Sequence, residues 1–209
     1  MRTEKKAALV LFTRYPEAGR TKTRLIPALG PEGAADLQRR LTEQMVARMA
    51  SFVAGFDATA EIRYAGGDRE KMDQWLAGAI PCLPQKGDTL GERLQNAFAA
   101  SFAKGAARVV IIGADCPGIT PLLLAQAFSA LGQADLALGP AADGGYYLVG
   151  LTRPQPALFH DLPWGSGEVL ARTLARARDL RLSTHLLEQL ADVDRPEDLR
   201  YLGDHSDPQ

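Results

Sequence analysis

The segment FTRYPEAGRTKTRL, residues 12–25, concentrates basic and hydroxyl side chains near the start of the chain. Arginine forks and lysine ammonium groups bind phosphate oxygens, and a glycine lets the backbone approach them closely. A solvated basic turn is the alternative, because lysine and arginine are mostly exposed. The segment contains neither GxGxxG nor GxxxxGK[ST], so it is neither a dinucleotide fingerprint nor a P-loop. The residues assigned to phosphate or nucleotide binding are Thr13, Arg14, Lys22 and Arg24.

An aspartate follows a strongly apolar run in VVIIGADCPG, residues 109–118. A carboxylate at the end of a central strand projects into the crevice at the sheet edge and is a natural ligand for Mg²⁺ or Mn²⁺. A turn-forming aspartate that bonds local backbone is the alternative. We favour the catalytic metal ligand for Asp115, because the basic loop is expected to face it.

The segment GPAADGGYYLVGL, residues 139–151, offers another carboxylate. Asp-Gly is a leading hairpin-turn dipeptide, so the segment needs no function. As a catalytic site, Asp143 would bind acceptor hydroxyls or metal, and Gly144 and Gly145 would permit close approach of the acceptor. Spacing alone does not separate the two interpretations.

The segment LPWGSGEVLARTL, residues 162–174, contains a serine between two glycines. Ser166 either caps the following helix or lines an acceptor site, and Trp164 either packs or lines the same site. The spacing does not match the GxSxG nucleophile elbow, and none of the three histidines occupies a convincing triad position.

Two aspartates occur in ADVDRPEDL, residues 191–199. Asp194 and Glu197 have the spacing of a helix capping box. Alternatively, Asp192 or Asp194 supplies a second carboxylate to the metal. Both interpretations can hold, because only one of the two aspartates is needed as the cap.

Composition limits the classes of protein that need be considered. The 209 residues suit one domain, which we predict to span 1–203 with a flexible tail at 204–209. A formal net charge of −1 gives no global field for nucleic acid. The two cysteines lack zinc-type spacing, and no signal peptide or membrane span is predicted. We therefore expect a cytoplasmic protein.

Secondary-structure signals alternate along the chain and must position these residues. The runs at 7–12 and 109–112 are uniformly apolar, as in parallel strands buried on both faces. Further strands are predicted at 58–64, 80–83, 135–138, 146–151 and 181–187, with helices at 31–55, 68–76, 90–105, 120–131, 167–178 and 195–202. The pattern indicates an α/β fold with a mostly parallel sheet, in which ligands bind beyond the carboxyl ends of the strands. The basic loop and Asp115 should then share one sheet edge.

Six ordered motifs resemble the DUF2064 family of glycosyltransferase-A-like proteins. They are FTRYPEAGRTKTRL, QKGDTLGERL, IIGADCPG, GPAADGGYYLVGL, PWGSGEVLARTL and DVDRPEDL, and the resemblance covers about residues 7–200. It implies a three-layer, Rossmann-like GT-A fold of the nucleotide-diphospho-sugar transferases. The wider superfamily includes 2-phospholactate guanylyltransferase and the molybdenum-cofactor guanylyltransferase.

The resemblance also implies site residues. A nucleotide would lie over the first loop, with Asp88 of the second motif among the residues that bind it. Mg²⁺ or Mn²⁺ would be held by Asp115, and Asp194 is the match to a C-terminal metal ligand. Two departures stand out: the Gly-rich GxGxRMGxxK loop is absent, and Cys116-Pro117 replaces the second acidic position of a DxD motif.

The sequence therefore predicts a metal-dependent transferase with a nucleotide-activated donor and a small-molecule acceptor. The preferred prediction for the donor is a nucleotide-diphospho-sugar. The alternatives are a guanylyltransferase-like enzyme that joins a nucleoside triphosphate to a phosphorylated acceptor, and a non-catalytic nucleotide-binding module. No pattern predicts the oligomeric state.

Overall fold

The computed structural model describes residues 7–76, 78 and 80–203, so the predicted tail at 204–209 lies outside the described residues. The strands within that part of the chain are β1 (Ala7–Arg14), β2 (Ala58–Ala65), β3 (Cys82–Pro84), β4 (Arg108–Gly113), β5 (Leu136–Pro140), β6 (Tyr146–Leu151) and β7 (Thr184–Leu186). The α-helices are α1 (Ile26–Gly55), α2 (Arg69–Leu76), α3 (Leu90–Ala103), α4 (Pro121–Ala130) and α5 (Val169–Asp179). Short 3-10 helices span Thr23–Leu25, Pro156–Phe159 and Pro196–Leu202.

The strands form one sheet in the order β3-β2-β1-β4-β6-β5-β7. Strand β6 runs antiparallel to both of its neighbours, β4 and β5. The other pairings are parallel. The reversal follows from the AADGG turn between β5 and β6, where the sequence contains a hairpin-turn dipeptide. The prediction of an α/β fold with a mostly parallel mixed sheet is confirmed.

Helices cover the sheet on both faces, and its central strands β1 and β4 contain uninterrupted apolar runs at 7–12 and 109–112. Leu9 and Leu11 of β1 face one core, which contains Met45 of α1 and Phe128 of α4. Val10 of β1 faces the opposite core, which α3 and α5 cover. Side chains on a strand alternate between the two faces, so a strand buried on both sides needs no polar positions. The predicted three-layer architecture is confirmed.

A break near the start of α1 separates a short first turn from the long amphipathic helix. Gly30 has φ 70° and ψ 168°, and Pro31 begins the continuous part of the helix. Proline is accepted at a first helical position because its missing N–H would have no partner there. The predicted helix at 31–55 is confirmed, although helical residues already begin at Ile26.

None of the helices among the described residues combines the length and the apolar character that crossing a bilayer requires.

Candidate active site

The basic loop and Asp115 begin at the same edge of the sheet, as the sequence predicts. Strands β1 and β4 are parallel neighbours, and Phe12 of β1 is paired with Gly113 of β4. The loops that follow these residues therefore start side by side. A cavity of about 330 Å³ opens at this edge. Its lining includes residues from β1, α3, the loop after β4, the turn before β6, the 164–169 loop and the segment 192–194.

Lys22 lies beneath Asp115. Its Nζ is 2.6 Å from Asp115 Oδ1 and donates a hydrogen bond to the carbonyl of Val193, also at 2.6 Å. The Lys22 side chain is 3% exposed, whereas that of Asp115 is 51% exposed. The buried lysine thus holds one carboxylate oxygen from the protein interior, and the rest of the Asp115 side chain is open to the cavity. The ammonium group of Lys22 contacts this carboxylate, and its predicted binding of phosphate stays a prediction.

Arg24 lies at the rim of the cavity and contacts Asp194. Its guanidinium Nη1 donates to Asp194 Oδ2 at 2.6 Å. Both side chains are partly exposed and line the cavity. The neighbouring Leu25 packs in a small core with Val193, which holds the basic loop against the C-terminal segment. Arg24 is therefore placed where it could reach a phosphate in the cavity.

The predicted capping box of Asp194 and Glu197 is wrong. Instead, the Asp198 carboxylate accepts hydrogen bonds from the N–H groups of Asp194 at 3.1 Å and Arg195 at 2.7 Å. Arg195 precedes Pro196 and is extended, so the helix begins one residue later than the spacing suggests. The helix is also a 3-10 helix rather than an α-helix. The Asp194 side chain is consequently available to Arg24.

The segment 190–194 crosses the carboxyl edge of the sheet and carries Asp192 into the cavity. Its backbone is held by hydrogen bonds from Val193 N–H to the Asp115 carbonyl at 2.9 Å and from Ala142 N–H to the Leu190 carbonyl at 2.9 Å. Burial, together with the charge of nearby carboxylates, raises the pKa of Asp192 to about 6. The carboxylates responsible are Asp143, Asp194 and Asp115. Four acidic side chains therefore share this small volume.

The Asp143–Gly145 turn packs directly on the 165–167 loop. Asp143 Oδ1 accepts the N–H of Gly145 at 2.8 Å. Gly144 has φ +88°, and a Cβ there would lie 2.2 Å from the carbonyl oxygen of Gly167. The turn thus requires glycine for its conformation and for this close approach. Of the two predicted acceptor-binding glycines, Gly145 lines the cavity and Gly144 packs against the neighbouring loop.

Ser166 lines the cavity but is not the N-cap of α5. Its Oγ accepts the N–H of Glu168 at 3.3 Å, and Glu168 is the residue that precedes the helix. Ser166 therefore closes a turn ahead of the helix, two residues before the capping position. Its predicted role at an acceptor site stays a prediction.

An apolar wall forms one side of the cavity. The Tyr146 and Trp164 rings meet edge to face, with centroids 6.1 Å apart and planes at 78°. The Tyr146 hydroxyl is buried inside the protein, so the ring is the part that lines the cavity. Apolar side chains that complete this wall are Phe12, Leu90, Leu94 and Val169. Sequence reasoning named only Trp164, because the tyrosine fits an ordinary strand pattern.

Besides Lys22, three other predicted nucleotide ligands do not line this cavity. Thr13 is buried, with its hydroxyl 2.8 Å from that of Thr42, and it accepts a hydrogen bond from Gln38 at 3.2 Å. Arg14 is exposed and donates to the carbonyl of Arg20 at 3.3 Å. Asp88 is exposed just before α3. The structure thus brings Arg24, Asp115, Asp143, Gly145, Ser166 and Asp194 together and leaves these three apart.

The carboxylates of this site could hold a divalent cation if water and substrate phosphates supply its other ligands. Within the described ranges, no three His, Cys, Asp or Glu side chains form a ready-made metal cluster. Mg²⁺, however, is usually held by one or two carboxylates together with water and substrate phosphates. Asp115 and Asp194 line the cavity together with Asp143 and Asp192, and a cation bound there would reduce the repulsion among these carboxylates.

Cys116, at the second position of the incomplete DxD motif, contributes no ligand. Its Sγ donates to the carbonyl of Ala191 at 3.2 Å. Burial raises the pKa of this thiol to about 12, so it does not form the thiolate that binds metals. The cysteine instead fastens the Asp115 loop to the C-terminal segment.

Comparison with known proteins places the chain in a family. The family model of DUF2064, "Uncharacterized protein conserved in bacteria", matches residues 48–166. A crystal structure of a "putative nucleotide-diphospho-sugar transferase" from Desulfovibrio desulfuricans G20 has a TM-score of 0.89. It is 33% identical, and the match covers 99% of this chain and 90% of that one.

Two further proteins resemble this chain, one in sequence and one in fold. The phosphoenolpyruvate guanylyltransferase of Chloroflexus aggregans is 27% identical over 181 residues, which are 86% of this chain and 89% of that protein. Glucosyl-3-phosphoglycerate synthase from Mycobacterium tuberculosis, solved with Mn²⁺ and UDP, has a TM-score of 0.60 at 15% identity. That match covers 97% of this chain and 76% of the synthase, and it shows the fold alone. The predicted family, fold and transferase class are confirmed, and the chain belongs to the DUF2064 family.

Proposed function

We propose that this protein is a Mg²⁺- or Mn²⁺-dependent transferase whose donor is a nucleotide-diphospho-sugar. The observation that carries the proposal is the position of Asp115. It stands at the carboxyl end of β4, is fixed from below by Lys22, and is open to a cavity that Arg24 and Asp194 also line. This is the place where α/β sheets bind ligands, and it combines a cationic group with oxygen ligands for a metal.

The chain's own residues would act mainly by positioning and by charge. Arg24 would bind a donor phosphate, exchanging its contact with Asp194 for the more highly charged phosphate group. Lys22 would keep Asp115 in one orientation, so that little reorganisation is needed when the donor binds. Asp115 and Asp194 would hold the cation, which when bound neutralises the phosphates of the departing nucleotide. The apolar wall would exclude water from the reacting groups.

A second candidate is transfer of a nucleotidyl group from a nucleoside triphosphate. The relative named a phosphoenolpyruvate guanylyltransferase favours it, since the similarity extends over most of both chains. The same residues would then contact a triphosphate, and pyrophosphate would leave. The two candidates differ in the donor, so a nucleotide screen separates them.

The test is a thermal-shift screen of nucleoside triphosphates, nucleoside diphosphates and nucleotide sugars, each with and without Mg²⁺ or Mn²⁺. We expect at least one of them to raise the melting temperature only when the metal is present. The variants Asp115→Asn and Arg24→Ala should lose most of that shift, and Arg178→Ala, an exposed arginine on α5, should keep it. An unchanged shift in both Asp115→Asn and Arg24→Ala would overturn the proposal.

A further inference from the structure

The side of the cavity next to β6 differs in chemistry from the basic loop. Asp143, Tyr146, Trp164 and Asp192 all belong to this side, which we call the β6 side. If the donor phosphates lie by Arg24 and Asp115, the acceptor has to enter from the β6 side. The residues found there then define which acceptors can bind.

Negative charge on the β6 side is not balanced by cations. Asp143 and Asp192 form no ion pair within the described part of the chain, and Asp143 Oδ1 is occupied by the N–H of Gly145. Among the described residues that line the cavity, the single cationic side chain is Arg24, which is already bonded to Asp194. A phosphate or carboxylate bound inside this cavity, against Tyr146 and Trp164, would therefore face repulsion from the two carboxylates and would find no unpaired guanidinium or ammonium group among the described lining residues.

Cationic side chains do occur nearby, but in an adjoining cleft. Arg195 and Arg200 line that cleft, and so do Asp143 and Asp192, whereas Tyr146 and Trp164 do not. Neither arginine lines the cavity that contains the apolar wall. An anionic group bound there would thus lie outside the volume enclosed by Tyr146 and Trp164.

The apolar wall favours an acceptor that has an apolar or ring-shaped group. Tyr146 and Trp164 present rings, and Phe12 and Leu90 extend the same surface. Aromatic and aliphatic walls bind apolar or ring-shaped groups and reject hydrated anions. Leu90 is 42% exposed, which is high for a leucine and leaves apolar surface for a ligand to cover.

We propose that the acceptor is an uncharged or cationic hydroxyl compound with an apolar face, and not a phosphorylated or carboxylated compound. This inference rests on the proposed transferase function and deepens it. In the sugar-transfer reaction, the acceptor oxygen bonds to C1 of the sugar. The bond from C1 to the phosphate oxygen breaks, and the nucleoside diphosphate leaves with the electron pair. The hydroxyl proton passes to the Asp143 carboxylate and from there to water.

A matched pair of probes tests the charge preference. We would titrate 2-phenylethanol and 2-phenylethyl phosphate by saturation-transfer NMR, together with phosphoenolpyruvate. Each titration is run without nucleotide and then with Mg²⁺ and the nucleotide that gives the largest thermal shift. We expect the alcohol to bind at least about tenfold more tightly than its phosphate ester, because the site repels the added charge.

Three variants localise the effect. Asp143→Asn should lower the ratio of the dissociation constants of the phosphate ester and the alcohol by about five- to tenfold, because one repelling charge is removed. Trp164→Ala should weaken binding of the alcohol and leave nucleotide binding intact. Asp179→Asn removes an exposed carboxylate at the end of α5 and should change neither the binding of the alcohol nor its preference over the phosphate ester.

Tighter binding of the phosphate ester or of phosphoenolpyruvate would overturn the inference, and so would binding of neither member of the pair. Failure of the proposed function gives a different result, because it appears as the absence of any metal-dependent nucleotide shift. A protein that binds nucleotide and still prefers the ester contradicts only the acceptor inference.

Discussion

The ammonium group of Lys22 joins Asp115, at the end of β4, to the carbonyl of Val193 in the C-terminal segment. Lys22, in the basic loop, and Val193, in the C-terminal segment, are 171 residues apart in sequence and are joined by this hydrogen bond. The same lysine has a positive φ of 47°, a conformation that non-glycine residues rarely adopt. The backbone is held in this form by the surrounding contacts, which suggests that the position of the lysine matters to the site.

Replacing this lysine should therefore disturb stability as well as binding. Lys22→Met keeps most of the aliphatic stem but leaves Asp115 Oδ1 without its ion-pair partner and the Val193 carbonyl without its hydrogen-bond donor. We expect the free energy of unfolding to fall by about 1–3 kcal/mol, as for buried polar groups that lose a partner. Urea denaturation measures the change. Lys86→Met, at an exposed lysine, is the control, and equal stability of the two variants would contradict the role of Lys22.

The Asp143–Gly145 turn offers a second matched comparison. Gly144→Ala places a Cβ 2.2 Å from the Gly167 carbonyl oxygen, whereas Gly105→Ala, at a similar φ of +90°, meets no atom within 4 Å. The control should lose about 1 kcal/mol from its positive φ alone. Gly144→Ala should lose about 2–4 kcal/mol, because overpacking adds to that strain. Chemical denaturation of both variants gives the difference, and equal losses would show that the turn and loop do not pack as described.

The corrected cap of the last helix is directly testable. Asp198→Ala removes the acceptor for the N–H groups of Asp194 and Arg195 and should destabilise the protein by about 1 kcal/mol. Glu197→Ala should have almost no effect, although the sequence spacing names Glu197 as the partner of Asp194. Thermal denaturation distinguishes them. A larger loss for Glu197→Ala would restore the capping box that the spacing predicts.

The two cysteines should differ in reactivity. Burial raises the pKa of Cys116 to about 12, so at pH 8 only about one molecule in ten thousand carries the reactive thiolate. Burial, followed by the charge of Asp73, also raises the pKa of Cys82, which is only partly buried. Reaction with Ellman's reagent should therefore modify Cys82 slowly in the native protein and Cys116 only after unfolding. Rapid native labelling in a Cys82→Ser variant would contradict the placement of Cys116.

The sequence was sufficient where local pattern determines position. A fully apolar strand must be covered on both faces, so VVII before Asp115 predicts a central parallel strand and a carboxylate at its end. Parallel neighbours end at one edge, which brings the basic loop to Asp115. These conclusions follow from strand geometry and do not depend on distant contacts.

The sequence was insufficient where distant residues or a single proline decide. Thr13 looked like part of a phosphate loop, but its partners are Thr42 and Gln38 on α1, which spacing cannot reveal. The last helix begins at Pro196, so Arg195 occupies the capping position that was predicted for Asp194. Tyr146 lines the cavity because β6 starts there, and a strand pattern gives no sign of that. Tertiary contacts settle each of these cases.

The most direct test of the central claim is a crystal structure with bound nucleotide and Mn²⁺, measured for anomalous scattering. We predict a manganese peak within about 2.2 Å of an Asp115 carboxylate oxygen, with the donor phosphates between the metal and Arg24. A nucleotide bound away from this cavity, or a manganese peak that does not contact Asp115, would contradict the account.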